Sequence, residues 1–196
     1  MRVLVTGGAG FIGSHLSDRL LSLGHEVAVV DDLSTGTSEN LSADARFHEL
    51  DIGDKALADV FAAHEPELVF HHAAHADVTS SVRDPGHDAS VNILGSLNLL
   101  ECCRTHEVRK FVYASTGGAL YGEPSRIPAP ESHPIHPLSP YGVSKHVVEQ
   151  YLYVYRVNHG LDCTVLRYPN VYGPRQDPHG EAGVVAIFSV QMLTGQ

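Results

Sequence analysis

Tyr141 and Lys145 stand four residues apart in a stretch of helical period, so both side chains fall on one helix face, one turn apart, and can reach the same ligand. A phenol titrates near ~10 and is a poor base at neutral pH unless a nearby cation favours the phenolate. Lys145 can supply that cation. General base catalysis at neutral pH needs a shift of about three pH units, or roughly 4 kcal/mol of differential stabilisation. The pair alone is weak evidence, because tyrosine and lysine often share a face on exposed helices.

A second feature gives it weight. Thr6-Gly7-Gly8-Ala9-Gly10-Phe11-Ile12-Gly13 lies between an apolar run and a helical pattern, with Gly7, Gly10 and Gly13 at three-residue intervals. In such a loop the first glycine turns the chain and the second lets a pyrophosphate approach the backbone. The third lets helix and strand pack closely. Backbone N–H groups and the helix dipole there favour a dinucleotide's negative charge. Asp31, 18 residues after Gly13, ends the next apolar run. A carboxylate at that place accepts hydrogen bonds from both ribose hydroxyls and repels a 2′-phosphate, so NAD is expected rather than NADP. Asp32 strengthens the negative field, and no arginine occurs between Asp31 and Arg46 to neutralise an extra phosphate. An oxidised nicotinamide ring would add a second positive charge near Tyr141. Asp51 and Ile52 are candidates for hydrogen bonding to and packing on adenine, with a helix cap as the alternative for Asp51. Ser115-Thr116 offers a hydroxyl for a reacting alcohol, with a strand-end cap as the alternative.

These residues need a scaffold that brings them to one edge. Short runs rich in Val and Phe alternate with helical segments, the pattern of repeated βαβ units and a parallel sheet. Strands are predicted at Arg2–Thr6, Glu26–Val30, Arg46–Glu49, Leu68–His71, Lys110–Ser115 and Cys163–Arg167. Helices are predicted at Phe11–Leu23, 55–64, 84–106, 141–158 and 181–196, with Gly24 as the first helix's C-cap. The fold class is therefore α/β, a doubly wound, Rossmann-like parallel sheet. Six prolines between Pro124 and Pro140 forbid a helix and predict a long functional connection.

The 196 residues carry 13 basic against 23 acidic side chains, a net charge of −10 that disfavours nucleic-acid binding through a general basic surface. With 43% apolar and 18% charged residues the chain can bury one ordinary core. No segment approaches the ~20 apolar residues of a membrane span, and the start is too short in apolar residues for a signal peptide. A soluble, cytoplasmic protein is expected. Three cysteines, two of them adjacent and none in CxxC spacing, suggest neither a disulfide framework nor a zinc site. His71, His72 and His75 form the densest group among 14 histidines, but adjacent residues at a strand end splay to opposite faces, which disfavours a metal.

Taken in order, Gly7–Gly13, Asp31-Asp32-Leu33-Ser34, Asp51-Ile52, His72-Ala73-Ala74, Asn92, Ser115-Thr116, Tyr141 to Lys145 and Arg167-Tyr168-Pro169-Asn170 resemble the extended short-chain dehydrogenase/reductase family. The pattern is most similar to its NAD-dependent UDP-glucose 4-epimerase branch; the stretch from Tyr172 to Val185 is similar to the bacterial and archaeal members. The resemblance implies that Gly7, Gly10, Phe11 and Ile12 hold the pyrophosphate. It implies that Asp31, Asp32, Leu33, Ser34, Thr35 and Gly36 line the adenosine ribose, and that Asp51 and Ile52 meet adenine. Ala73, Ala74 and His75 would border the cofactor, with Asn92, Lys145 and Pro169 near its nicotinamide end. Tyr141 would be the acid/base, Thr116 its hydroxyl partner, and Asn170 a contact to the substrate's phosphate. Three departures stand out: Pro169 where many relatives place Phe, Ala76 where some place Lys, and one extra residue in Thr116–Tyr121, which could put Gly117 in the hydroxyl's slot.

In the family mechanism, Tyr141 takes the sugar 4-hydroxyl proton while NAD takes the hydride, and the transient 4-keto sugar turns over before the hydride returns. A 4,6-dehydratase, the alternative within the family, carries an Asp-Glu pair after the strand-end Thr; here Gly117 and Gly118 stand there. An alternative of another class is an NAD-binding module without turnover. Residues 1–170 are expected to form the NAD-binding domain with its catalytic helix, and 171–196 the start of a substrate-binding domain that is largely absent. The expected partners are a UDP-sugar and a second copy of the chain. The apolar excess at Val91, Leu94, Leu97, Leu99 and Leu100, and at Val147, Val148, Tyr151, Leu152 and Tyr155, points to a homodimer through a helix bundle, or else to a wide core face.

Overall fold

The computed structural model describes residues 1–178 and 183–195. Six parallel strands, β1 (Arg2–Thr6), β2 (Glu26–Asp31), β3 (Arg46–Glu49), β4 (Leu68–His71), β5 (Lys110–Thr116) and β6 (Asp162–Tyr168), form one sheet in the order β3-β2-β1-β4-β5-β6. The chain winds outward one way from β1 through β2 to β3 and the other way from β4 to β6. The reversal lies between β1 and β4, where the carboxyl ends of neighbouring strands open a crevice. All six strands predicted from sequence are present, with β2, β5 and β6 each slightly longer than expected.

One sheet face packs on α1 (Phe11–Ser22), through Val3, Val5, Leu20, Val27 and Val29. The other carries the larger core, where Leu4, Val69, Phe111 and Tyr113 meet α2 (Leu57–His64), α5 (Ser96–Thr105) and α6 (Pro140–His159). Helix α1 ends where Gly24 takes a left-handed φ of 78°. Helix α6 begins where the Ser139 hydroxyl accepts the Gly142 N–H at 3.1 Å and Pro140 occupies the first turn. It ends at Gly160, φ 71°.

Two features depart from the expected helix pattern. The 84–106 segment is helical but not uniform: α4 (Pro85–Ala89) leads into a π-helical turn, Ser90–Gly95, before α5. A short helix, α3 (Val78–Arg83), is absent from the sequence pattern; Asp77 caps it by accepting the Ser80 N–H at 2.7 Å. No helix or strand occurs between β5 and α6, as the prolines require. The expected last helix is α7 (Val184–Thr194); Glu181, Ala182 and Gln196 lie outside the described residues.

Leu99, Leu100, Val148, Leu152 and Tyr155, part of the apolar excess attributed to a partner surface, belong to the core. Helices α5 and α6 lie side by side, with the Tyr155 hydroxyl donating to Glu101. Leu94 and Tyr151 remain exposed. No described helix is long and apolar enough to cross a membrane.

Candidate functional site

The glycine loop turns between β1 and α1 at the mouth of the crevice. Gly7 has φ 70°, and a Cβ there would sit 2.5 Å from the Ala73 nitrogen, so the loop is pressed against the chain leaving β4. A Cβ on Gly13 would lie 2.1 Å from the Gly7 carbonyl oxygen, whereas one on Gly10 would meet only that oxygen, at 3.3 Å. No side chain caps the start of α1. Phe11 and Ile12 form its first turn, half-buried, with their N–H groups at the positive end of the helix. Such a turn can hold a pyrophosphate.

Asp31 closes β2 beside this loop. Its carboxylate accepts the Ala9 N–H and the Leu33 N–H, each at 2.9 Å. Burial raises its pKa from the usual value, opposed by those two backbone bonds. Each oxygen keeps a lone pair for a ribose hydroxyl. Leu33 takes a left-handed φ of 58°, and Gly36 lies over Ala9 and Asp31. Asp32 is exposed and accepts both the N–H and the hydroxyl of Ser34; Thr35 is exposed next to it.

Asp51 does not cap α2. Its Oδ1 accepts the Gly53 N–H at 2.6 Å, and Asp54 holds the turn before the helix by accepting the Ala56 N–H at 2.8 Å. The Ile52 side chain is buried in the core, and its carbonyl accepts the Asn98 amide at 2.7 Å.

At the other end of the crevice, β5 and α6 bring Lys145 and Tyr141 together. Gly142 allows it: a Cβ there would lie 2.5 Å from the Ala119 carbonyl, so the helix start is drawn against the loop after β5. Lys145 is buried; its Nζ donates to the Ala114 carbonyl at 3.0 Å and sits 4.9 Å from the Tyr113 ring centre and 5.8 Å from that of Tyr141. Burial pushes its ammonium down to about 8, with the Asp88 carboxylate opposing. The Tyr141 N–H donates to the Ser81 hydroxyl at 3.2 Å, so α3 fixes this turn. Thr116 Oγ1 accepts the Ala119 N–H at 3.2 Å, the cap role foreseen as the alternative to a substrate contact.

Asn92, on the π-helical turn, is buried and joins three segments. Its Oδ1 accepts the His75 N–H, and the two hydrogens of its Nδ2 are shared among the His75 carbonyl and Asp88, each at 2.9 Å, and the Ser144 hydroxyl, at 3.2 Å, which itself donates to the Tyr141 carbonyl. Ala73, Ala74 and His75 thus lie, half-buried, between the glycine loop and Asn92. The His75 Nδ1 is 3.5 Å from Asp88. His71 and His72 do splay. His71 enters the core, whereas His72 stacks on Tyr168, with Nε2 3.3 Å from its hydroxyl; burial holds His72 down to about 4. Among the described residues no group of three metal-ligating side chains gathers. Pro169 and Asn170 are exposed on the segment leaving β6.

Sequence reasoning missed the supports beneath these groups. Glu149, on α6, accepts from the Ser115 hydroxyl at 2.6 Å and from Arg167 through two bonds of 3.0 and 2.6 Å; Arg167 also donates to the Tyr121 hydroxyl at 2.8 Å. This network fastens the proline-rich connection and β6 to α6. Glu149 gave a signal only in its place four residues after Lys145, on the same helix face.

A doubly wound sheet with a glycine cradle at its switch point and a Tyr–Lys pair across the crevice defines a nucleotide-dependent short-chain dehydrogenase-like protein. The profile of the NAD dependent epimerase/dehydratase family matches residues 3–196, and the chain belongs to that family. It is 51% identical over its whole length to a UDP-glucose 4-epimerase of Mycolicibacterium smegmatis, of which it spans 64%. Two solved structures are similar over all of this chain at 55% identity. One is the UDP-glucose 4-epimerase of Thermotoga maritima with UDP-glucose, TM-score 0.97 and 64% of that chain covered. The other is that of Thermus thermophilus with NAD, TM-score 0.95 and 63% covered. The chain thus spans just under two thirds of the length of these relatives.

Proposed function

We propose that this chain binds NAD across the carboxyl edge of the sheet and belongs to an enzyme that interconverts UDP-hexoses by inverting the sugar 4-carbon. The observation that carries this reading is the burial of Lys145 beside Tyr141, across the crevice from an uncapped glycine cradle. NAD, when bound, supplies an acceptor and donor of hydride. Gly7, Gly10, Phe11 and Ile12 would hold its pyrophosphate; Asp31, with Asp32 to Gly36, its adenosine ribose; Asp51 and Ile52 its adenine. Ala73, Ala74, His75, Asn92, Lys145 and Pro169 would flank its nicotinamide end.

Tyr141 takes the proton of the 4-hydroxyl and returns it after the transient 4-keto sugar has turned over. Lys145 holds positive charge against the phenolate, where a low local dielectric makes that charge count for more than in water. Thr116 supplies a hydroxyl to the sugar, and Asn170 contacts its phosphate. Residues 1–170 form the cofactor domain, and 171–196 begin the substrate side. Gly117 and Gly118 leave the position after Thr116 without the acid pair that elimination of water requires, which favours epimerisation over 4,6-dehydration. Leu94, exposed on the π-helical turn, and Tyr151, exposed on α6, support pairing with a second copy along this side.

The test is incubation of purified protein with UDP-galactose. Formation of UDP-glucose supports the reading; a 4-keto-6-deoxy product selects the dehydratase. Retained NAD without turnover selects a binding module.

A further inference from the structure

Beneath the crevice a single file of hydrogen bonds crosses the core. Ala73 N–H donates to Thr6 Oγ1 at 3.2 Å, Thr6 Oγ1 lies 2.7 Å from His71 Nδ1, and His71 Nε2 lies 2.8 Å from Ser96 Oγ. The Ser96 hydroxyl in turn donates to the Asn92 carbonyl. Only one arrangement of protons satisfies all of them. A carbonyl can only accept, so the one hydroxyl proton of Ser96 points to Asn92, and Ser96 Oγ must accept from His71 Nε2–H. The imidazole is fully buried between the rings of Phe111 and Tyr113, and burial, with Lys145 nearby, holds its pKa well below the usual value. It is therefore neutral, Nδ1 carries no proton, and Thr6 Oγ1–H donates to it.

The file ends on the residue that follows the π-helical turn: the Ser96 N–H bonds to the Ile93 carbonyl, and the Ser96 hydroxyl donates to the Asn92 carbonyl. Its two ends are both functional positions. Ala73 abuts Gly7 in the cradle, and Asn92 reaches Ser144 and through it the Tyr141 carbonyl.

We propose that His71 is a positioning residue: as the Nε2–H tautomer it sets the distance between the cofactor cradle and the Tyr141–Lys145 helix. The inference rests on the dinucleotide reading above. An aromatic ring of similar size separates it from a packing role. His71→Phe refills the space between Phe111 and Tyr113 and leaves the Ala73–Thr6 and Ser96–Asn92 bonds intact, so it disconnects the two ends without emptying the core. His71→Gln keeps a polar group that can bridge them.

The experiment measures NAD dissociation constants for the intact wild-type chain and both variants by titration calorimetry, together with long-range ¹H–¹⁵N spectra of the wild-type imidazole. Expected are a neutral, Nε2-protonated His71 at pH 7 and an affinity about tenfold weaker in His71→Phe, the net worth of about one hydrogen bond. Expected also is recovery of part of that loss in His71→Gln, with His71→Phe still unfolding cooperatively. Equal affinity of wild type and His71→Phe, or an Nδ1-protonated or charged ring, overturns the positioning role while the proposed function stands. A wild-type chain that takes up no NAD overturns both.

Discussion

Lys145 is a charge that the fold is made less stable to hold. Its ammonium titrates at about 8 in the folded chain against 10.5 when solvated, because burial among Tyr113, Tyr141 and the β5 backbone removes water. Between those two values the unfolded chain binds a proton that the folded chain has released. Stability therefore rises with pH through that window, and below pH 8 the folded state carries the full penalty of about 3 kcal/mol. Lys145→Met removes the titration but keeps the length and apolar stem of the side chain. At pH 7 it also loses the bond to the Ala114 carbonyl, whose charge-assisted worth of about 1.5–3 kcal/mol offsets most of the relief. The variant should thus be within about 2 kcal/mol of wild type at pH 7. Urea denaturation of both proteins at half-unit steps from about pH 7 to 10.5 reads the difference directly, and the comparison cancels the tyrosines and cysteines common to both. Wild type should gain on the variant by about 3 kcal/mol over that range. Parallel curves would show that Lys145 is not desolvated as the geometry demands, and would remove the reason for placing its charge beside Tyr141.

Other substitutions separate the parts of the site. Gly7→Ala forces a side chain onto a φ of 70° and against the Ala73 backbone, and should cost at least about 1–3 kcal/mol in denaturation. Gly10→Ala should weaken NAD in calorimetry and lower the midpoint less than Gly7→Ala does, since the added methyl presses only on the Gly7 carbonyl oxygen, at 3.3 Å. Tyr141→Phe should keep NAD and lower kcat for UDP-galactose by about 10²–10⁴ with little change in KM, as loss of proton transfer predicts. Asp31→Ala leaves the Ala9 and Leu33 N–H groups without their acceptor and should lower both stability, by about 1–3 kcal/mol, and NAD affinity; a drop in only one, measured side by side, would separate the loop's support from ribose recognition.

Much of the fold is legible because its signals are local. Apolar runs mark all six strands, Gly24 marks the end of α1, and Ser139-Pro140 marks the start of α6, one residue ahead of the predicted helix. The π-helical turn is not legible, since a single change in the hydrogen-bond ladder at Ser90–Gly95 barely alters the apolar period of the 84–106 segment. Helix α3 escapes because six residues with two valines and a threonine have weak helix propensity, although Asp77 followed by Ser80 is a readable cap. The glycine cradle, Asp31 and the Tyr141–Lys145 pair follow from spacing along the chain. Their supports do not. Glu149 meets Arg167 and Ser115, and His71 meets Thr6 and Ser96, only after the sheet is wound, and no periodicity encodes a contact 65 residues apart. Ile52 shows the opposite hazard: its place beside the crevice follows from the sequence, but its side chain is needed by the core.

Everything in the proposed chemistry requires a dinucleotide across the carboxyl edge with its redox ring beside Tyr141. A crystal structure of this chain grown with NAD tests this most directly. The pyrophosphate is predicted over Gly10 at the start of α1, with a ribose on Asp31 and the nicotinamide facing the Tyr141 hydroxyl. A dinucleotide bound elsewhere, or one whose nicotinamide is turned away from Tyr141 and Lys145, would contradict it.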